Sequence, residues 1–600
     1  MENWQKTYIE NTRSISRLSN FFASEGSAPE TWAADRQKAR EQCVLLRKEN
    51  ISLLNRYLFP ALDELHSLDS TSVDALVAFA DELLDWKTNL DPGVYVVIHD
   101  ALLSVARVRK DTDAVIRELY KLGMGYYYLR RYLNGIDVPE AAAFEFQNEM
   151  VFTEAGSYLH YFDQLENEDT KGYIIRAMAN VALCTRNTSR RIAASAKTLQ
   201  VAQDPHYRQQ APNLPWDAFV RKTHQQMSAN REELSSGTMT TAELAAVLDS
   251  CYEIFKPEEQ SENPSVRWIW PFYEMEYNCG YVSAEVTLSR IEHLVSKTPP
   301  DQFDMSGLYA NVQLPVYYGR LLKEHPRLLE NTDSIRFLNE AYRKMIRVLL
   351  TCPPDAMDDY FFYVIRAVIT DYYEVEGVPS YKEITRQLLA RFGGEDYIRF
   401  CRTGAVIRCI CAAIYQKEPD FFDDIPFLAA IGDPAEKEKA LMAYAQDCGL
   451  YFDFGLLKMN ISRTMLTRNL FENEYRMYCL HTDSGHNDLI ERPSTACFAD
   501  IALGHHRWYD GSDGYPVRYV RNRSPYRQMT DITACAAYLA ADPGEDPAGT
   551  LSRMQKKSGK QFSPMVMAYL SDQQLADEIQ RILKADPSPY YEEIRQYVSG

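Results

Sequence analysis

Four of the 11 histidines in this 600-residue chain fall between positions 481 and 506. Neutral imidazoles are the commonest nitrogen ligands of metal ions in proteins, and carboxylates supply oxygen ligands to the same ions. The histidines are His481, His486, His505 and His506, and Asp453, Asp483, Asp488, Asp500 and Asp510 lie near them in the sequence. This composition predicts a metal site, although the spacing alone also fits histidines with a structural or surface role.

The sequence GHHRWYDGSDGYP at 504–516 makes the prediction more specific. It resembles the HH…DG-x-GYP segment of the HD-GYP domain, a branch of the HD superfamily of metal-dependent phosphohydrolases. Three flanking segments are similar to other HD-GYP segments in the same order: YFDFG at 451–455 to HDIG, HTDSG at 481–485 to H-p-x-x-G, and GKQFSP at 559–564 to the late G-x-x-F-[DS]-P. The resemblance covers roughly 397–585.

The resemblance implies an all-helical domain that binds two or three metal ions, often iron or manganese, and hydrolyses cyclic di-GMP or a related cyclic dinucleotide. Bound metals would polarise the phosphodiester oxygens. Matched position by position, the metal ligands are Asp453, His481, His505 and His506.

Several positions depart from the HD-GYP pattern. Phe452 replaces the HD histidine, Leu456 replaces the lysine that contacts the scissile phosphate, and Arg507 replaces the acidic residue after the histidine pair. Arg402 is the nearest match to the leading histidine of the domain, and Ala534 or Cys535, depending on the alignment, replaces a metal-binding aspartate. We therefore expect either one divalent ion, iron or manganese, held by Asp453, His481 and His505 or His506, or no metal.

A basic loop follows the histidine pair, with five arginines and two aspartates between positions 507 and 527. Guanidinium groups bind phosphate oxygens with two hydrogen bonds and stack on purines. The predicted ligand-binding residues are Arg507, Tyr515, Arg518, Arg521 and Arg523. The alternative is that these arginines pair with neighbouring acidic helices.

Apolar residues recur at helical spacing along most of the chain. One predicted helix starts at Asp333 and ends near Thr351, and another runs from the cap at Asp111 to Gly123. Strand-like alternation is scarce. We therefore predict an all-α, multi-domain protein with an N-terminal helical region at 1–235, a second helical region at 236–396 and a degenerate HD-GYP-like domain at 397–600.

The charge balance restricts the partners. With 65 Lys and Arg against 84 Asp and Glu, the net charge of −19 argues against general nucleic-acid binding and against an anionic membrane. The N-terminus has no apolar signal segment, and the 12 cysteines form no CxxC pair, which is typical of a cytoplasmic protein with reduced thiols.

Three functions remain open from the sequence. The favoured one is a binding or regulatory module related to cyclic-dinucleotide signalling, with weak or no hydrolysis. The alternatives are an active cyclic di-GMP phosphodiesterase and a helical scaffold. A protein partner of the N-terminal helices is a further expectation, and the family resemblance suggests a homodimer.

Overall fold

The computed structural model describes residues 2–19, 30–84, 89–133, 136–262, 264–353, 359–459, 465–541 and 547–599. These residues form α-helices and short 3-10 or π turns, with isolated bridges but no β-strand. The prediction of an all-α protein is confirmed. No helix within these ranges is both long and apolar enough to cross a membrane.

Sixteen of the helices in the described ranges lie before residue 330. They are α1 Asn3–Leu18, α2 Trp32–Leu53, α3 Phe59–Asp63, α4 Ser70–Leu83, α5 Pro92–Arg109, α6 Thr112–Arg130, α7 Pro139–Ser157, α8 Glu168–Cys184, α9 Thr188–Gln203, α10 Pro205–Gln210, α11 Trp216–Ser228, α12 Thr241–Glu259, α13 Val266–Asn278, α14 Ala284–Lys297, α15 Met305–Leu308 and α16 Leu314–Glu324.

The remaining described helices follow. They are α17 Thr332–Thr351, α18 Asp359–Asp371, α19 Tyr381–Phe392, α20 Glu395–Lys417, α21 Pro426–Ala429, α22 Pro434–Tyr451, α23 Glu472–Cys479, α24 His481–Ile490, α25 Ala499–Gly504, α26 Arg527–Ala540, α27 Pro547–Gln555, α28 Pro564–Leu570, α29 Gln573–Lys584 and α30 Ser588–Ser599. The helix predicted from Asp333 is confirmed as α17.

The chain divides into two compact units. Unit 1 contains Met1–Ile15, Val44–Ala341 and Thr464–Glu474, and unit 2 contains Ser16–Cys43, Tyr342–Arg463 and Tyr475–Gly600. The division into three regions that the sequence suggested stays a prediction.

In unit 1, α4 to α9 pack mainly against their neighbours in chain order. Helix α6 begins as predicted, with the Asp111 side chain accepting a hydrogen bond from the backbone of Ala114. The prediction that this helix ends at Gly123 is wrong, because it continues to Arg130. Gly123 instead leaves room for the Phe152 ring, since a Cβ at this position would lie 2.6 Å from that ring.

A buried ion network holds the 465–474 segment inside unit 1. The Arg468 guanidinium donates to Asp91 at 2.6 and 2.8 Å and to Glu474 at 2.7 and 2.8 Å. The Tyr8 hydroxyl donates to the same Asp91 carboxylate at 2.6 Å. Burial opposes ionisation of Asp91, but Arg468 outweighs it and keeps the Asp91 pKa below its ordinary value. The two carboxylates therefore depend on one guanidinium for their neutralisation.

We predict that Arg468→Met destabilises the protein by about 3–5 kcal/mol, because it leaves two buried carboxylates without their cation. The measurement is the midpoint of urea unfolding, followed by tryptophan fluorescence. Arg13→Met is the matched control, since Arg13 forms a half-exposed pair with Glu82 and its loss should cost less than about 1 kcal/mol. Equal midpoints for the two variants would contradict this account.

Helix α20 is central to unit 2, where it contacts α22, α26, α28, α29 and α30. Its most extensive contact is with α22, where Gly404 meets Gly449. A Cβ on Gly449 would lie 2.2 Å from the Gly404 Cα, so neither position leaves room for a side chain. This crossing fixes α20 against the C-terminal end of α22. The candidate site begins just after that end, at Asp453.

Candidate metal centre

Each predicted metal ligand lies at a helix end in unit 2. Asp453 follows the C-terminal end of α22, and His481 is the first residue of α24. His505 and His506 follow the last residue of α25. Side chains at helix ends can converge on one point because the chain direction changes there.

A second glycine contact brings two of these helix ends together. Gly455, two residues after Asp453, lies against the backbone of α24, and a Cβ on it would be 2.0 Å from the His481 carbonyl oxygen. Gly485 on α24 faces Gly455, and a Cβ added to Gly485 would lie 3.0 Å from the Gly455 nitrogen. The turn carrying Asp453 can therefore approach the first turn of α24 closely enough for Asp453 and His481 to touch.

The four predicted ligands form one cluster. One ligand atom from each of Asp453, His481, His505 and His506 lies within 4.8 Å of the other three. Asp453, His481 and His505 are 1%, 0% and 4% exposed, whereas His506 is partly exposed. Ligands about 2.0–2.2 Å from one ion lie within about 4.4 Å of each other, so a slight contraction would suit a single ion.

Backbone carbonyls orient two of the imidazoles. His481 Nδ1 lies 2.6 Å from the Tyr478 carbonyl oxygen, and His505 Nδ1 lies 3.0 Å from that of Ala502. Because a carbonyl only accepts, each Nδ1 must carry a proton. In a neutral imidazole the other nitrogen, Nε2, then has a lone pair.

Both of these Nε2 atoms face the same oxygen. His481 Nε2 and His505 Nε2 each lie 3.0 Å from Asp453 Oδ1. Burial lowers the pKa of His505 although the Asp453 carboxylate opposes this effect, so the neutral form of His505 is favoured. A lone pair facing a carboxylate oxygen is repulsive, and a cation between them would remove the repulsion.

His506 completes the cluster on its more exposed side. Its ring stacks on Tyr515 with the centroids 4.5 Å apart, and it lies 4.2 Å from the His505 ring. Within the part of the chain that the structure describes, the buried His506 Nε2 has no hydrogen-bond partner. Burial, followed by the neighbouring histidines, holds the His506 pKa well below its ordinary value. A neutral imidazole nitrogen without a partner fits a metal ligand.

The sequence pattern did not identify Arg399. Its Nη1 donates to Asp453 Oδ2 at 2.7 Å, whereas Arg402, the nearest match to the leading histidine, donates to the Ala585 carbonyl. Burial alone would raise the Asp453 pKa, but it lies well below the ordinary value, and the Arg399 guanidinium is the largest cause that lowers it. The only sequence signal was Asp396, three residues before Arg399, which is the spacing of a helical ion pair.

Most predicted ligand-binding arginines are engaged within the protein. Arg507 donates to backbone carbonyls of its own loop, including those of Asp513 and Gly514 at 3.0 and 2.9 Å. Arg518 pairs with Asp483, and Arg521 donates to both oxygens of Asp531. Arg523 is exposed on the short turn Arg521–Arg523, and Tyr515 alone of the five stacks on the histidine cluster.

Residues at or near two positions that depart from the HD-GYP pattern are not members of the cluster. Lys458, near the expected lysine position, is buried in a pair with Asp488, with Nζ 3.0 Å from Oδ1. Phe452 packs edge-on against the His505 ring at a centroid distance of 5.0 Å.

Two segments that are distant in sequence do meet, because Tyr509 and Asp510 donate backbone hydrogen bonds to the carbonyls of Gln561 and Lys560.

The chain was compared with protein-family models and with curated proteins. No protein-family model matches the chain, and no curated protein matches it significantly. The chemistry of the centre is therefore inferred from its own geometry.

Proposed function

We propose that unit 2 binds one divalent transition-metal ion through Asp453, His481, His505 and His506. The observation that carries the proposal is the convergence of two imidazole Nε2 atoms, from His481 and His505, on one oxygen of Asp453 while both Nδ1 atoms face backbone carbonyls. The orphaned Nε2 of His506 supports it. Iron or manganese suits this donor set of three imidazoles and one carboxylate, in line with the resemblance to HD-GYP domains.

The side chains around the centre would hold the ligands in place. The carbonyls of Tyr478 and Ala502 keep the two imidazoles turned toward Asp453, and such outer contacts are typical of metal-binding histidines. Phe452 packs against the His505 ring at a centroid distance of 5.0 Å and so places an apolar group next to this ligand. When bound, the ion would supply Lewis acidity toward a phosphoryl oxygen.

We further propose that the centre serves to bind a phosphate-containing ligand, such as a cyclic dinucleotide, and has at most weak hydrolytic activity. Lys458 is occupied by Asp488, and Asp531 is occupied by Arg521, so these charges are committed to protein contacts. Tyr515 borders the partly exposed His506 and offers an aromatic ring for stacking a base. This arrangement favours a binding or regulatory role over an efficient phosphodiesterase.

Metal content tests the centre directly. We expect about one equivalent of iron or manganese in wild-type protein purified anaerobically, and none in the His505→Ala/His506→Ala variant, because two of four ligands are lost. The measurement is elemental analysis by mass spectrometry. His486→Ala is the matched control, since His486 is on α24 but lies 3.9 Å from Asp500 rather than in the cluster.

Absence of metal from all three proteins would favour the scaffold alternative. Two or more equivalents in the wild type would contradict the one-metal centre and favour the phosphodiesterase.

Ligand binding tests the second part of the proposal. We expect metal-loaded protein to bind cyclic di-GMP in calorimetry, and Tyr515→Ala to weaken binding by about 1–3 kcal/mol, roughly 5- to 150-fold, because a stacking ring is lost. Tyr569→Ala is the control, because Tyr569 donates to Glu418 and does not contact the cluster. Product formation should stay near background. Absence of binding would contradict the ligand role, and rapid metal-dependent turnover would contradict the binding role.

A further inference from the structure

The two oxygens of Asp453 have different partners. Oδ1 faces the Nε2 atoms of His481 and His505, each at 3.0 Å. Oδ2 accepts a hydrogen bond from Arg399 Nη1 at 2.7 Å. A carboxylate can hold a separate cation on each oxygen, so the proposed ion and the guanidinium would share this one group.

A second carboxylate holds the same guanidinium. Arg399 Nε and Nη2 each lie 3.3 Å from Asp396 Oδ1, one turn earlier on α20. The guanidinium therefore lies between Asp396 and Asp453, as a cation bound by two carboxylates would. Its charge is permanent at any physiological pH.

Aromatic rings complete the surroundings of this guanidinium. Its carbon lies 4.9 Å from the Phe400 ring centroid and 5.4 Å from that of Phe452. Phe452 packs edge-to-face with both Phe400 and His505, so its ring lies next to the guanidinium and to one of the ligand imidazoles. A ring face attracts a guanidinium but donates no lone pair to a metal ion.

We infer that Arg399 occupies a second cation position of the centre, formed by Asp396 and Asp453 Oδ2, and that it limits the centre to one metal ion. This inference rests on the proposed metal site. A divalent ion at that position would have to displace a permanent positive charge that is covalently attached to the chain. Coulomb repulsion between a second ion and this guanidinium opposes double occupancy.

A one-metal centre could have either of two causes. If the missing imidazole at position 452 were the sole cause, Phe452→His alone would restore a second site. If Arg399 blocks the second cation position, an imidazole introduced at position 452 restores a second metal site only after the guanidinium has been removed. A set of variants in the full-length protein can distinguish these causes.

The experiment measures Mn²⁺ equivalents after equilibrium dialysis, together with the electron paramagnetic resonance spectrum. We expect one equivalent and the six-line signal of isolated Mn²⁺ in the wild type and in Phe452→His. We expect two equivalents and an exchange-coupled signal in Phe452→His/Arg399→Ala and in Phe452→His/Arg399→Gln. Phe452→His/Arg402→Ala is the matched control and should stay at one, because Arg402 donates to Ala585 and not to Asp453.

Two results would overturn the inference: two equivalents in Phe452→His with Arg399 retained, or one equivalent in both Arg399 double variants with helical circular dichroism at the wild-type level. The Gln variant retains an amide that can donate to both carboxylates, so it guards against loss of folding in the Ala variant. Zero equivalents in every protein would instead overturn the proposed metal site itself.

Discussion

The carboxylate of Asp453 is the group on which the structure of the centre depends. It is buried, and its charge is balanced on one oxygen by Arg399, whereas the other oxygen faces two imidazole nitrogens. Burying a carboxylate is costly unless its oxygens find partners. Arg399 satisfies one side, and the proposed ion would satisfy the other. Both the proposed metal stoichiometry and the proposed role of Arg399 on α20 follow from how this single group is shared.

The helices exist in this arrangement because glycines permit close contact. Gly404 and Gly449 let α20 and α22 cross with their backbones in contact. This crossing places Arg399 on α20 near Asp453, which lies just after the end of α22. Gly455 lets the next turn lie against the start of α24. Both contacts position Asp453, since it lies between Gly449 and Gly455 in the chain. The site is thus built by backbone contacts, and its side chains need little freedom to converge.

The all-α fold could be predicted from the sequence because helical periodicity is a local signal, and the four clustered residues were implied by the resemblance to HD-GYP segments. Contacts between segments that are distant in the sequence could not be predicted in this way. Arg399 is one turn from Arg402 on α20, and only tertiary packing shows which of the two reaches Asp453. The sequence offered pairing of the loop arginines with acidic helices as an alternative, but it did not identify Asp531 as the partner of Arg521 or the role of Gly123 in a helix interior. The division of the chain into regions, the ligand and the activity stay predictions.

The most direct test of the one-metal centre is X-ray absorption spectroscopy at the metal edge of manganese- or iron-loaded wild-type protein. The account predicts a first shell of nitrogen and oxygen at about 2.0–2.2 Å, imidazole multiple scattering from three histidines, and no metal–metal scattering. A metal–metal distance near 3.5–4 Å would contradict it, because two ions would then share the site. A first shell without imidazole scattering would also contradict it, because the ion would then bind outside the cluster of Asp453, His481, His505 and His506.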